Sequence, residues 1–117
     1  METPGTYNIT AYQGASFDIQ FAWKIDDTPV DLSGYTARMQ ARRRADSVTA
    51  ALTLTTENGR ITLGDAAGTI TLDVSADDME NVDAAEYVYD LELESAGGEV
   101  YRLLEGKFTV SAEVTRG

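Results

Sequence analysis

Acidic residues are the side chains of this sequence most able to do chemistry, because it contains neither histidine nor cysteine. Two adjacent pairs, Asp26-Asp27 and Asp77-Asp78, supply the carboxylate oxygens that calcium prefers. Neither pair lies in the spacing of a calcium-binding loop, and their neighbours are residues typical of turns and helix caps. We therefore expect structural roles for both pairs, and no bound metal or cofactor.

Catalysis by two carboxylates has little support in the sequence. Glycoside hydrolysis needs one acid whose pKa is raised by an apolar pocket, facing a second acid across a cleft. The acidic residues show no such pairing, and the absence of histidine removes the commonest general base. We expect a protein that is not an enzyme.

Four arginines lie within seven residues, at Arg38, Arg42, Arg43 and Arg44. Arg38 and Arg42 are an even number of residues apart and should share one strand face, and the other two extend from its end. Consecutive like charges repel one another, so the group is either a solvated strand end or a cationic patch that docks on an acidic surface. The acidic strand face expected to oppose it, in a second copy of the chain, carries Asp90, Glu92 and Glu94. Apolar surface for that contact is expected around Tyr7 and Tyr12.

Length and charge limit the classes of partner. A chain of 117 residues predicts one domain, 1–117, in which residues 1–13 form an edge strand or an arm. The net charge of -11 disfavours nucleic acid and anionic membranes, which attract lysine and arginine instead. No stretch approaches the roughly 20 apolar residues of a membrane span.

Alternating polar and apolar residues predict an all-β fold. The clearest run places Phe17, Ile19, Phe21 and Trp23 on one side of a strand. Turn residues recur every ~8 to 12 positions, and Ser75 with an acid three residues later predicts the cap of one short helical turn. This pattern predicts an antiparallel β-sandwich of seven to nine short strands. The expected core includes Phe17, Ile19, Phe21, Trp23, Tyr35, Met39, Leu52, Leu54, Ile70, Leu72, Tyr89, Leu91 and Phe108.

Three local features refine the predicted architecture. The spacing from Asp83 to Tyr87 resembles the tyrosine corner of immunoglobulin-like domains, in which the tyrosine hydroxyl bonds to upstream backbone. Asn58-Gly59 readily adopts positive φ and predicts a hairpin between the strands on either side of it. Gly106 predicts a bulge in the last strand. We therefore favour an immunoglobulin-like sandwich.

The sequence resembles small proteins encoded among the structural genes of tailed bacteriophages and prophages. It is more distantly similar to the N-terminal immunoglobulin-like domain of phage baseplate upper proteins. The resemblance covers nearly the whole chain and lies in framework residues of a sandwich: Gly14 to Trp23, 26–40, 68–72, 87–93 and 98–110.

This resemblance implies a non-enzymatic virion structural protein, made in the host bacterial cytoplasm and present in multiple copies or as a homo-oligomer. Its partners would be other virion proteins in the tail, baseplate, head-to-tail region or capsid, where it would act as an adaptor or a decoration module. The alternative from the residues alone is a carbohydrate-binding module that holds host-surface glycan on exposed tyrosines. We expect most aromatic side chains to lie in the core instead.

Overall fold

The structure, a computed structural model, describes residues 5–114, and the regular secondary structure of this part of the chain is almost entirely β. Alternating polar and apolar residues form its longer strands, and Gly, Asn and Asp occupy the turns. The strands are β1 (Gly5–Thr6), β2 (Ile9–Tyr12), β3 (Phe17–Ala22), β4 (Lys24–Ile25), β5 (Thr28–Pro29), β6 (Thr36–Arg42), β7 (Leu52–Thr55), β8 (Ile61–Leu63), β9 (Thr69–Val74), β10 (Ala85–Glu94) and β11 (Val100–Ser111). A single α-helix, α1 (Ala76–Glu80), and one 3-10 turn, Asp65–Ala67, complete the described elements.

Two sheets contain all of the longer strands. The larger sheet has the order β7-β6-β10-β11, and both β1 and β2 pair in parallel with the outer edge of β11. The smaller sheet is antiparallel, with the order β3-β9-β8. A separate two-stranded hairpin, β4-β5, turns through Asp26 and Asp27, which both have positive φ. Eight strands of three or more residues therefore form the body of the domain, and β1, β4 and β5 are two-residue additions.

One hydrophobic core lies between the two sheets. Strand β10 buries Tyr87, Tyr89, Leu91 and Leu93, and the residues between them point outward, as the period of a strand requires. The rings of Phe17 and Phe108 meet edge-on with centroids 5.6 Å apart, which joins the smaller sheet to the larger one. Helix α1 covers one end of this core with Met79, and Val82 follows it.

Most of the predicted core is buried, but four aromatic or branched side chains are only partly so. Ile19, Phe21, Trp23 and Tyr35 pack against the core cluster without being enclosed by it. Ile19 and Phe21 lie on β3 and Trp23 directly follows it; β3 pairs only with β9 and is therefore an edge strand. The inner face of β3 therefore stays open along one side. The alternation of polar and apolar residues identified the correct face but overestimated how far its side chains are buried.

The predicted hairpin around Asn58-Gly59 is wrong. Gly59 does adopt a positive φ of 80°, but β7 pairs with β6 and β8 pairs with β9, so this turn crosses between the sheets. Side chains of the turn occupy the edge of β7 that a hairpin partner would need. Asn58 Oδ1 accepts from the Thr55 N–H at 2.9 Å, and Arg60 Nη1 donates to the Thr53 carbonyl at 2.9 Å.

Gly106 has a different role from the predicted bulge. The register shift between β10 and β11 lies between Leu91 and Glu92, whereas Gly106 pairs regularly with Tyr89. A Cβ atom at Gly106 would lie 2.5 Å from the Tyr7 carbonyl oxygen and 2.9 Å from Asn8 Oδ1. Glycine is therefore required because the junction of β1 and β2 lies directly against β11.

Truncation of two phenylalanines should distinguish the enclosed core from the open edge. Phe108→Ala should lower the free energy of unfolding by about 3–5 kcal/mol, because the ring is fully enclosed. Phe21→Ala should cost clearly less, since part of that ring is already in contact with water. Urea denaturation of both variants checks this, and equal losses would contradict the edge position of β3.

Candidate interaction surfaces

The outward side chains of β6, β10 and β11 form a continuous charged surface, which we call the charged face. Strand β10 lies between the other two strands, so Glu92 is opposite Arg38 on one side and Arg102 on the other. The larger sheet thus presents alternating rows of cations and carboxylates to solvent. Its ionic side chains include Arg38, Arg42, Glu86, Asp90, Glu92, Glu94, Arg102, Glu105 and Lys107.

Ion pairs connect the rows of the charged face. Arg38 Nε lies 3.1 Å from Glu92 Oε1, and Arg38 Nη1 lies 3.4 Å from Glu94 Oε1. Arg102 reaches Asp90 at 3.5 Å and Glu92 at 3.7 Å. The hydrogen bond to Glu92 is the main reason that the pKa of Arg38 is raised. Glu92 is therefore shared between two guanidinium groups.

The negative charge of Asp90 has fewer neighbouring cations to balance it than the charge of Glu92. Burial, reinforced by the nearby charge of Glu92, raises the pKa of the Asp90 carboxyl, and Arg102 offsets only part of this effect. A group whose charged form is disfavoured in the folded chain is suited to a partner that brings a further donor. An additional cation beside Asp90 would therefore stabilise its charged form.

An apolar residue lies among these charges. Val88 is 38% exposed and sits in β10 between Arg42 and Lys107, its register partners on the two neighbouring strands. Together they line part of a shallow concavity of about 610 Å³ on the outer surface of the sheet. The charged face therefore combines a small apolar centre with a charged surround, as protein interfaces do.

The four arginines do not form the single cationic patch that their spacing predicts. Arg38 and Arg42 share a strand face as expected, but Arg42 donates to the Ser47 carbonyl and to Gln40. Arg43 lies over the ring of Tyr87, with its guanidinium carbon 5.5 Å from the centroid, and Arg44 pairs with Asp46 at 3.5 Å. Each arginine thus has its own local partner.

The acidic residues expected to receive the arginines from a second copy lie on the same face of the same chain. Glu92 and Glu94 pair with Arg38, and Asp90 pairs with Arg102. The expected separation into a cationic patch and an acidic strand face is therefore wrong, because β6 and β10 are neighbours in one sheet. Sequence spacing reveals which face a residue takes but not which strands are adjacent.

Tyr7 and Tyr12 lie at the opposite edge of the larger sheet from β7. They are 44% and 60% exposed, and the ring of Tyr7 packs edge-on against Phe21 at 5.3 Å between centroids. The predicted edge strand or arm corresponds here to β1 and β2, and its first four residues lie outside the described part of the chain.

Two buried tyrosine hydroxyls bond to backbone carbonyls. Tyr87 donates to the Asp83 carbonyl at 2.6 Å, which is the bond to upstream backbone that the spacing predicts. Tyr89 donates to the carbonyl of Tyr7 and so fixes the junction of β1 and β2 to the centre of the sheet. Burial of its hydroxyl raises the pKa of Tyr89 to about 12.

A group of three partly exposed aromatic side chains was not predicted as a surface feature. The Trp23 ring lies 6.4 Å from Tyr35 and 5.6 Å from Tyr101 between centroids. We call this the aromatic cluster. Trp23 and Tyr35 were expected in the core, and only the pairing of distant strands brings Tyr101 beside them.

The adjacent acids have structural positions. Asp26 and Asp27 form the β4-β5 turn, and Asp77 and Asp78 lie in the first turn of α1. Asp78 also pairs with Arg60 at 2.7 Å, and this hydrogen bond lowers the pKa of its carboxyl. Within residues 5–114, no group of three or more metal-ligating side chains converges on one point. The same part of the chain includes no helix of the length and hydropathy needed to cross a membrane.

Comparison with known proteins adds no family to this description. No family model matches the chain, and no curated protein sequence is significantly similar to it.

Tyr89→Phe tests the bond between the sheet centre and β1. At pH 7 the loss of one buried hydrogen bond should lower the free energy of unfolding by about 1 kcal/mol. In the wild type the folded pKa of Tyr89 lies above that of an unfolded tyrosine, near 10. The stability that Tyr89 contributes is therefore complete below pH ~10 and is lost as pH rises towards 12.

Absorbance titration of the tyrosinate band measures this ionisation directly. The last ionisation step of the folded protein should disappear in Tyr89→Phe and remain in the matched control Tyr12→Phe, which removes an exposed tyrosine. Persistence of the late step in both variants would assign it to another residue.

A double-mutant cycle on Arg38 and Glu92 should measure how strongly the charged face is held together. We expect a coupling free energy of about 0.2–1 kcal/mol that falls at high salt, because Arg38 is half exposed. Arg44 and Asp46 provide a control cycle, since both side chains are 81% exposed and should couple more weakly. Equal coupling in the two cycles would argue against an ordered charge network.

Proposed function

We propose that this protein is a non-enzymatic structural component of a tailed-phage virion, built as an immunoglobulin-like sandwich. It acts as an adaptor or decoration module through contacts with other virion proteins and with further copies of itself. It needs neither a cofactor nor nucleic acid or membrane for this role, and its place of action is the virion.

The observation that carries the proposal is the strand order together with the tyrosine corner. The larger sheet has β6, β10 and β11 where an immunoglobulin-like domain has strands C, F and G, and β7 extends it beside β6. The smaller sheet has β3, β9 and β8 in the places of strands B, E and D. Tyr87 lies near the start of β10, the strand-F equivalent, and makes the bond to Asp83 that characterises such corners. This architecture agrees with the phage modules that the sequence resembles.

The charged face supports a role in assembly. Its cations and carboxylates are largely paired within the chain, so they determine register and association rate more than affinity. Exposed Val88 and the concavity around it offer the apolar contact that an ion-pair network alone lacks. A neighbouring virion protein with a complementary charge pattern would fit this surface.

Particle analysis tests the function. The protein should appear at fixed stoichiometry in purified particles of the phage or prophage that encodes it. Absence of the wild-type protein from such particles would overturn the proposed function itself.

Charge reversal at Lys107 tests the surface. Lys107→Glu should reduce incorporation several-fold, because this lysine flanks Val88 and is 60% exposed. Arg44→Glu is the matched control, as it makes the same charge change in a loop off the face and should incorporate normally. Thermal unfolding shows whether both variants fold. Normal incorporation of Lys107→Glu would overturn the assigned surface while leaving the virion role in place.

The aromatic cluster favours one alternative, a carbohydrate-binding module for host-surface glycan. Trp23, Tyr35 and Tyr101 are partly exposed, and such rings stack on sugars as well as on protein. Binding on a glycan array that is lost in Tyr101→Ala would support this function. A virion adaptor should give no glycan signal in either form.

A further inference from the structure

Strand β3 forms one edge of the smaller sheet, and its outer side has no partner strand in the described part of the chain. It spans Phe17–Ala22 and pairs only with β9. Such an edge presents a row of free N–H and C=O groups and readily accepts another strand.

The hydrogen bonds at the end of β3 determine which residues face outward. The Trp23 N–H donates to the Gly68 carbonyl at 2.8 Å, and alternate residues of an antiparallel pair bond to the same neighbour. Phe21 and Ile19 therefore bond to β9. The peptide groups of Asp18, Gln20 and Ala22 point away from the sheet towards the open edge.

Another exposed edge of the fold is blocked, in contrast to β3. On β7, the Thr53 carbonyl accepts from Asn58 Nδ2 at 3.1 Å and from Arg60 Nη1 at 2.9 Å. The Thr55 N–H donates to Asn58 Oδ1 at 2.9 Å. These side chains thus occupy the free peptide groups of β7 and protect this edge from pairing with another strand. Strand β3 lacks such protection.

Apolar surface lies beside the open edge. On the inner face of β3, Ile19 and Phe21 are only partly buried, and the exposed ring of Tyr7 packs against Phe21. A groove of about 290 Å³ runs between β3 and the β1–β2 edge, with Tyr7 and Tyr12 on its rim. A strand added to β3 would cover Ile19 and Phe21 and extend the smaller sheet.

We propose that β3 pairs with β3 of a second copy of this chain, antiparallel and with the two-fold axis at Gln20. The register places Gln20 opposite Gln20 of the second copy. Each Gln20 Nε2 donates to Thr71 Oγ1 at 3.0 Å within its own chain, and the second N–H and the oxygen of the amide can bond to the amide across the axis. Ile19 meets Phe21 of the second copy, and the reverse pair is identical. Three bonded residue pairs give about six backbone hydrogen bonds and join two three-stranded sheets into one.

Separation of like charges favours this arrangement among the possible pairings of β3 with itself. Asp18 faces the small, uncharged Ala22 of the second copy, so the carboxylates of the two edges are kept apart. A parallel, in-register pairing would place Asp18 against Asp18, and like charges directly opposite each other destabilise a sheet. Asp18 already faces Asp73 within its own sheet, so a third carboxylate there would be costly.

The net charge of each copy predicts how salt acts on this dimer. Two chains of charge -11 repel each other at long range, and salt screens that repulsion over about 10 Å at 0.1 M and 3 Å at 1 M. The contact itself consists of backbone hydrogen bonds and apolar side chains, which salt weakens little. The dimer should therefore strengthen with salt, whereas a contact through the charged face should weaken.

This inference rests on the proposed function, which includes contacts between copies, and deepens it by naming the strand through which two copies meet. It does not depend on the virion, because the pairing is a property of the purified chain. Loss of incorporation without loss of dimer, or the reverse, separates the two proposals.

Engineered cysteines test the register directly, because the natural sequence has none. Bonded antiparallel partners lie about 5.5 Å apart between Cα atoms, within the range that a disulfide spans. Gln20→Cys should form a linked dimer on mild oxidation. Asp18→Cys and Ala22→Cys should each link poorly alone but link to each other when mixed, as mass spectrometry of the joined peptides would show.

Thr62→Cys is the control, since Thr62 is exposed on the same outer face but on β8, the opposite edge strand of the smaller sheet. Linking of Gln20→Cys no faster than Thr62→Cys would overturn the proposal. Linking of Asp18→Cys to itself at the rate of Gln20→Cys would overturn the register.

Sedimentation of cysteine-free protein provides the second test. The wild type should show a concentration-dependent monomer–dimer equilibrium. Its dimer fraction should rise as NaCl is raised from 0.05 M to 1 M, which shortens the electrostatic screening length from about 14 Å to about 3 Å. In Ala22→Lys the lysine of each copy faces Asp18 of the other copy, so the dimer gains two opposite-charge pairs. Its dissociation constant should fall about three- to tenfold, and in Ala22→Asp it should rise by a similar factor. Thr62→Lys and Thr62→Asp make the same charge changes away from the edge and should have smaller effects. A wild type that stays monomeric under all of these conditions would overturn the proposal.

Discussion

Burial of one face of β10 is the constraint on which the rest of the structure depends. Tyr87, Tyr89, Leu91 and Leu93 must all point between the sheets, and the strand period then sends the residues between them to the opposite side. The position of the charged face is thus a direct consequence of the core. Because β10 pairs with β6 on one side and β11 on the other, its carboxylates lie between two rows of cations.

The same burial imposes hydrogen-bond requirements. A phenol hydroxyl that enters an apolar core needs an acceptor, and both Tyr87 and Tyr89 find theirs in the backbone. Each bonds to the carbonyl of a segment that connects two elements. Tyr87 holds the turn before β10, and Tyr89 holds the junction of β1 and β2. Two polar atoms in the core therefore determine where two peripheral segments lie.

Local sequence patterns predicted the features that depend on a few neighbouring residues. Alternation identified the inward faces of β3, β6, β9 and β10, and Ser75 was predicted as a cap and accepts from the Asp78 N–H. The bond from Tyr87 to the Asp83 carbonyl was also predictable, because its donor and acceptor are four residues apart. In each case a residue and its partner lie within one turn or one strand.

Features that depend on which strands are neighbours could not be predicted in this way. Arg38 meets Glu92 across 54 residues of sequence, and nothing near either residue indicates the other. The predicted hairpin at Asn58-Gly59 failed for a related reason, since the turn residues were correct but the two strands belong to different sheets. Gly106 was singled out as unusual, but its cause is the backbone at Tyr7, which alternation within β11 does not reveal.

The parallel pairing of β1 and β2 with β11 has a consequence for how the chain acquires its fold. The Tyr7 N–H bonds to the Glu105 carbonyl at 3.0 Å, so one edge of the larger sheet unites residues about a hundred positions apart. Contacts of such long sequence separation slow folding, because a large loop must close before they form. During synthesis on the ribosome, β1 and β2 emerge before β11 and have no partner strand until β11 follows. Until then the apolar side chains of β2 stay uncovered, and exposed apolar surface and unpaired strand edges make an incomplete chain prone to aggregation.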